Sequence, residues 1–203
     1  MTIDFLGISL QSYSWQTVLG SSISGVFLGS IYALVALGLT LIYGVLHIIN
    51  FAHGSLLMLA MYAVFFLWNI LGLDPYLSML IVVPGGYLFG YTLQRTIIGK
   101  ASHGKDEITL LVMLGVSIVM ENTALFFFTA TDRSVRVPYD LDGFDLGVTY
   151  VVYPEIAALL GSLLITLVLW FFMSYTDTGK AIRAVSKERQ GARLVGINVE
   201  HIF

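Results

Sequence analysis

TVLGSSISGVFLGSIYALVALGLTLIYGVL, residues 17–46, runs for thirty residues without one charged side chain. A helix needs about 20 such residues to cross the hydrocarbon of a bilayer. In lipid it satisfies its own backbone and presents only apolar side chains outward. The run therefore predicts a membrane span. Small residues recur along it at every fourth position: Ser21, Gly25, Gly29 and Ala33, with Gly25 and Gly29 forming a GxxxG. Such a stripe lets another helix approach closely, either as ordinary packing or as a moving seam. The run is long for a straight crossing, and Gly38 and Gly44 are where its end could bend or unwind.

Four more stretches have the same character. Residues 51–71 contain only His53 and Asn69 as strongly polar side chains; 76–98 is interrupted by Pro84-Gly85-Gly86; 108–130 carries Glu121 and Asn122; and 153–173 opens with Pro154, suited to a first helical turn. Of the 203 residues 57% are hydrophobic and 11% charged, where a soluble domain carries about 25% charged residues. The fold class expected is an all-α membrane protein of about five transmembrane helices in a polytopic bundle. Residues 1–16 hold Asp4 and neither Lys nor Arg, so they read as a mature interfacial segment and not as a basic-headed signal peptide. The expected division is residues 1–16, a membrane region 17–173, and a polar segment 174–203.

Basic residues orient the chain. Arg95, Lys100 and Lys105 follow the third span; Lys180, Arg183, Lys187, Arg189 and Arg193 follow the fifth. Five spans place both groups on one side. The opposite side receives the N-terminus, the turn at Asp74, and the loop 131–152 with two Arg against four Asp. The N-terminus is therefore expected outside and the C-terminus in the cytoplasm. In that loop Asp142-Gly143 suggests a hairpin turn and Val148 to Val152 a strand.

Between the first two spans lies HIINFAHGS, residues 47–55. Asn50 stands where a helix N-cap belongs, able to accept from a backbone N–H two or three residues on. His53 falls in the first turn, and Gly54 permits close approach. The cluster is either a capped tight turn or a helix start facing a transport path, where an anionic group would be attracted. Glu121 lies 13 residues into its span, costly at that depth unless it faces protein or water. It either forms an interhelical hydrogen bond as the neutral acid or, with Asn122, lines a path and meets an ammonium group.

Other chemistries find no support. His47 and His53 lack a third ligand, and the Asp140, Asp142, Asp145 spacing misses the calcium-loop pattern. No metal or cofactor is expected. Cysteine is absent, which excludes thiolate chemistry. The net charge of −3 argues against nucleic acid. No phosphate loop or nucleophile motif occurs, so the chain is not expected to be an enzyme.

GSIYALVALGLTLIYGVLHIINFAHGSLLMLAMY, residues 29–62, resembles the signature region of branched-chain amino-acid ABC importer permeases of the LivH type. TGKAIRAVSKERQGARLVGIN, residues 178–198, resembles their cytoplasmic loop. The resemblance implies import of leucine, isoleucine and valine across a bacterial or archaeal plasma membrane. It also implies a second related permease, two ATPase subunits and an extracytoplasmic substrate-binding protein. Urea and short-amide permeases share the pattern, and a passive channel is the rival of another class. Such families continue with further spans, so this chain reads as an N-terminal portion. In ABC importers a loop of EAAxxxG character docks on the ATPase. Gln190, Gly191, Ala192 and Gly196 fit it here, with Ala192 and Gly196 matching and Glu and the first Ala replaced. Lys180, Arg183 and Lys187 share one helical face, suited to lipid phosphate or to an acidic ATPase surface.

Overall fold

The computed structural model describes residues 3–5, 8–10, 14–46, 49–101 and 106–198. His47 lies outside them. Among the described residues five helices are long and apolar enough to cross a membrane: Trp15–Gly44, His53–Leu71, Pro75–Ile98, Glu107–Phe128 and Tyr153–Tyr175. Their large side chains are mostly exposed, as expected of helices whose outer solvent is lipid or another helix.

The elements run in order from a two-stranded pair β1 (Ile3–Phe5) and β2 (Ile8–Leu10) to helix α1 (Trp15–Leu46). Then come α2 (His53–Leu71), α3 (Pro75–Leu93), a π-helical turn (Gln94–Ile98), the short α4 (Gly99–Ala101) and α5 (Asp106–Phe128). A second hairpin, β3 (Gly143–Asp145) with β4 (Tyr150–Val152), leads into α6 (Tyr153–Tyr175), α7 (Asp177–Lys187) and α8 (Arg189–Leu194). The chain divides into two compact units, residues 1–38 with 138–180, and 39–137 with 181–203.

In the first unit, β3 and β4 pair antiparallel with Phe144 opposite Val151. The turn lies at residues 146–149, not at Asp142-Gly143. Gly147 supplies the positive φ of 73°, and Asp145 accepts its N–H at 2.8 Å. Gly143 is needed for space instead: a Cβ there would run into the Val151 backbone. An Asp-Gly pair marks a turn only when the glycine's φ is used. Here the second glycine claims it. Pro154 stands in the first turn of α6, and Glu155 reaches back to the Val152 N–H at 3.4 Å, half of a capping box.

In the second unit, α3 continues through Pro84-Gly85-Gly86, against the expected interruption. Proline removes one hydrogen bond, and membrane helices tolerate that where neighbours or local adjustments re-satisfy the carbonyl. Likewise α1 stays helical through Gly38 and Gly44 to Leu46. In lipid an unwound turn would leave backbone groups without partners. At the start of α3, Asp74 accepts the Tyr76 N–H at 2.9 Å, with Pro75 in the first turn. At the end of α2, Gly72 adopts φ 64° and returns its N–H to the helix.

Candidate functional site

The start of α2 is built by Asn50. Its side-chain oxygen accepts the Ala52 N–H at 2.9 Å, and its backbone carbonyl accepts the His53 N–H at 3.1 Å. The acceptance two residues on agrees with the sequence. The N-cap itself is Ala52, which offers no side-chain bond. Asn50 is buried and shapes a turn ahead of the helix.

Where this helix begins follows from its neighbour. Ser55, in the first turn of α2, meets Ser117 of α5 with 2.6 Å between hydroxyl oxygens. Further along, Tyr62 and Phe66 pack on Phe128 at 4.6 and 5.0 Å between ring centroids. The two helices therefore run side by side in the same direction. Ser117 lies eleven residues beyond Asp106, the first residue of α5. The start of α2 is thus about 15 Å along α5, roughly half a hydrocarbon thickness.

At that level Glu121 gathers the hydroxyls. Ser55 donates to its Oε1 at 2.8 Å and Ser117 to the same oxygen at 3.0 Å. Ser55 is 3% and Ser117 7% exposed, while Glu121 itself is exposed. Two buried hydroxyls thus pin one carboxyl oxygen beside the positive end of a helix dipole, and the residue stays open on its outer side. Asn122 points elsewhere: its Nδ2 donates to the Ile118 carbonyl at 2.7 Å. His53 is half-buried in the first turn. Among the described residues nothing beyond its own stretch of helix stands within 4 Å of a Cβ built on Gly54; this glycine lines an open groove. The structure so brings Glu121 to the α2 start and leaves Asn122 outside the cluster. Sequence reading missed Ser55, because a lone serine in an apolar run carries no signal until its helix has a partner.

The segment after α6 turns a tight corner. The Thr176 hydroxyl donates to the Phe172 carbonyl at 2.6 Å and accepts the Gly179 N–H at 3.0 Å. Gly179 is buried, and a Cβ on it would collide with the Phe172 and Met173 backbone. Lys180 pairs with Asp177 at 3.1 Å on an exposed face, a contact worth little in water. In the second unit Ser186 donates to the Gly44 carbonyl at the end of α1.

Of the expected coupling residues, Ala192 is 4% exposed and packs with Val185 and Ile197. Gly196 ends α8 with φ 86°. Its N–H returns to Arg193 at 3.1 Å and that of Ile197 to Ala192 at 3.0 Å, a Schellman closure. Gly191 sits against the Glu188 side chain, and Gln190 gives its backbone N–H to Glu188. Ala192 and Gly196 thus hold the hairpin's own shape. Its exposed apolar side chains are Leu194, 88% exposed, and Val195, 76% exposed, beside the exposed Gln190 and Arg193.

Ser21, Gly25, Gly29 and Ala33 are exposed on α1, and nothing lies within 4 Å of a Cβ at Gly25 or Gly29. A packing role for this stripe requires a helix from outside the described residues. The crowded glycine is Gly20, where a Cβ would stand 3.0 Å from the Val148 carbonyl.

A family model described as branched-chain amino acid transport system, permease component, matches residues 21–203. The chain belongs to this family. It is 29% identical over 195 residues to the high-affinity branched-chain amino acid transport system permease protein BraD of Pseudomonas aeruginosa. That alignment covers 89% of this chain and 63% of BraD. Against LivH of Salmonella typhimurium the identity is 29% over 199 residues, covering 89% and 62%. LivH of Escherichia coli is 28% identical over 197 residues, with the same coverage of 89% and 62%. The chain therefore spans less than two thirds of these permeases' length. No solved structure matches it. With five apolar helices of spanning length, this member of the branched-chain permease family is a multi-pass membrane protein.

Proposed function

We propose that the chain forms part of the membrane path of an ABC importer for leucine, isoleucine and valine in a bacterial or archaeal plasma membrane. Family membership and the names of the similar permeases support the substrate class. One observation supports where substrate passes: α2 starts about halfway along α5 beside Glu121, an exposed residue with one carboxyl oxygen pinned by two hydroxyls. A carboxyl next to the backbone donors of a helix start presents the two charges that a zwitterion requires. Asn50, His53 and Gly54 belong to the same path as the residues that form that helix start. Asn122, bonded to the Ile118 carbonyl of its own helix, is left out of that path.

Energy comes, in this reading, from two ATPase subunits acting with a second permease, while a substrate-binding protein delivers the amino acid outside. Reconstituted together in vesicles, they are expected to take up labelled leucine only when ATP is supplied. Flux without ATP would make the chain part of a channel. Displacement of leucine by urea from the cognate binding protein would move it to the urea permeases.

The ATPase contact is assigned to residues 189–197. Gln190 and Gly191 contribute to its surface, Ala192 and Gly196 hold its shape, and Leu194 and Val195 supply its apolar tip. Burying such apolar side chains against a partner removes them from water. The double substitution Leu194→Asp, Val195→Asp is expected to lower ATPase co-purification by about tenfold or more, with helical content unchanged. Undiminished co-purification would reject the contact. Docking there also requires a cytoplasmic C-terminus and, through five crossings, an outside N-terminus.

A further inference from the structure

Beyond α5 the chain turns at Thr129, which has φ 61°, and Arg133 folds back on the helix it has just left. Its Nη2 donates to the Phe128 carbonyl at 2.9 Å. Its guanidinium carbon lies 5.4 Å from the Phe65 ring centroid, 5.8 Å from Phe128 and 5.9 Å from Phe66. Three rings and one carbonyl hold the group in place. Among the described residues Arg133 is in no ion pair, and it is exposed. It offers further N–H donors to an anion.

From this cage an open groove of about 870 Å³ runs along α2, lined by Gly54, Leu57, Met58, Met61 and Phe65. Residues of α3 and the segment 129–135 form its other walls. From Phe65 back to Gly54 is eleven residues, about 16 Å along the helix. The start of α2 lies about 15 Å along α5, at the contact of Ser55 with Ser117. The groove is therefore about as long as one leaflet is deep. A free amino acid would fill a small part of that length. An acyl chain fills it from end to end.

We propose that Arg133 and the groove on α2 form a binding site for an anionic phospholipid. The phosphate sits on the Arg133 guanidinium and one acyl chain lies along Gly54, Leu57, Met58 and Met61. Charge complementarity fixes the head, and the match of groove to leaflet depth fixes the tail. The site stands independently of the transport reading, since lipid retention needs neither ATP nor substrate.

The test is native mass spectrometry of the protein released from mixed micelles of detergent with phosphatidylglycerol or phosphatidylcholine of the same acyl chains. Wild type is expected to retain phosphatidylglycerol about fivefold better, the size of effect expected for one basic residue at an anionic surface. Arg133→Gln is expected to erase that preference, and Arg133→Lys, which keeps the charge, to retain it. Equal retention of the two lipids by wild type would overturn the site, as would an undiminished preference in Arg133→Gln. Displacement of phosphatidylglycerol by saturating leucine would also overturn it, by making the groove a substrate site. If Arg133→Gln does not fold, the wild-type ratio and the Arg133→Lys variant still decide the matter.

Discussion

Glu121→Ala is expected to reduce ATP-driven leucine uptake by about thirtyfold while ATPase co-purification stays normal. Removing one member of a desolvated charge pair costs roughly 2–5 kcal/mol, and the low end of that range applies because Glu121 is exposed on one side. Glu121→Gln separates charge from shape. It keeps an acceptor for the Ser55 and Ser117 hydroxyls, now at 2.8 and 3.0 Å, and removes the negative charge that an ammonium group would meet. Uptake is expected to fall nearly as far as with Ala. Ser55→Ala and Ser117→Ala each delete one hydroxyl contact, worth about 1 kcal/mol. They should raise KM a few-fold and leave kcat within about twofold, because they position the carboxyl and do not carry the charge. Full uptake by Glu121→Gln would show that the cluster is only a hydrogen-bonded joint between α2 and α5.

The second large effect is expected at the corner between α6 and α7. Thr176 ends α6 with an extended backbone and gives α7 its first side-chain bond, at 3.0 Å to Gly179. Gly179 has no room for a Cβ, because the atoms it would meet are the Phe172 and Met173 backbone. Backbone cannot swing aside as the end of a flexible side chain can. Gly179→Ala must therefore open the corner, at a cost of the order of 1–3 kcal/mol for overpacking, and Gly179→Val should cost more. If the corner transmits motion between the ATPase and the spans, stimulation of ATP hydrolysis by substrate should be lost in Gly179→Val. Helical content should stay near that of wild type. Normal stimulation in both variants would mean that the corner is not part of the coupling.

Gly179 is instructive about what a sequence displays. Nothing in TDTGKAIR distinguishes it from a glycine at an ordinary helix start, since the crowding atoms belong to the preceding helix. The same holds at Asp142-Gly143, where the local dipeptide pointed to a turn but the ladder with Val151 required the glycine. Pro84-Gly85-Gly86 misled for another reason. Its residues break helices in water, yet in lipid the helix persists because unpaired backbone has no solvent to turn to. By contrast, the helix stop at Gly196 is a local matter, since its left-handed φ and the closing bonds from Gly196 and Ile197 involve only residues 192–197.

The sequence by itself determined that this is a membrane protein with five spans of adequate length, and that its polar residues would gather around positions 50–54, Glu121 and 178–198. Those conclusions follow from hydrophobic run length, which the bilayer reads residue by residue. Tertiary structure alone decided that Ser55 joins Glu121, that α2 starts halfway along α5, that Ala192 is interior to its hairpin and Leu194 is not, and that Arg133 closes back over three phenylalanines. Each depends on the axial offset and rotation of one element against another. Those are set by side-chain packing between residues far apart in the chain, which no local pattern encodes.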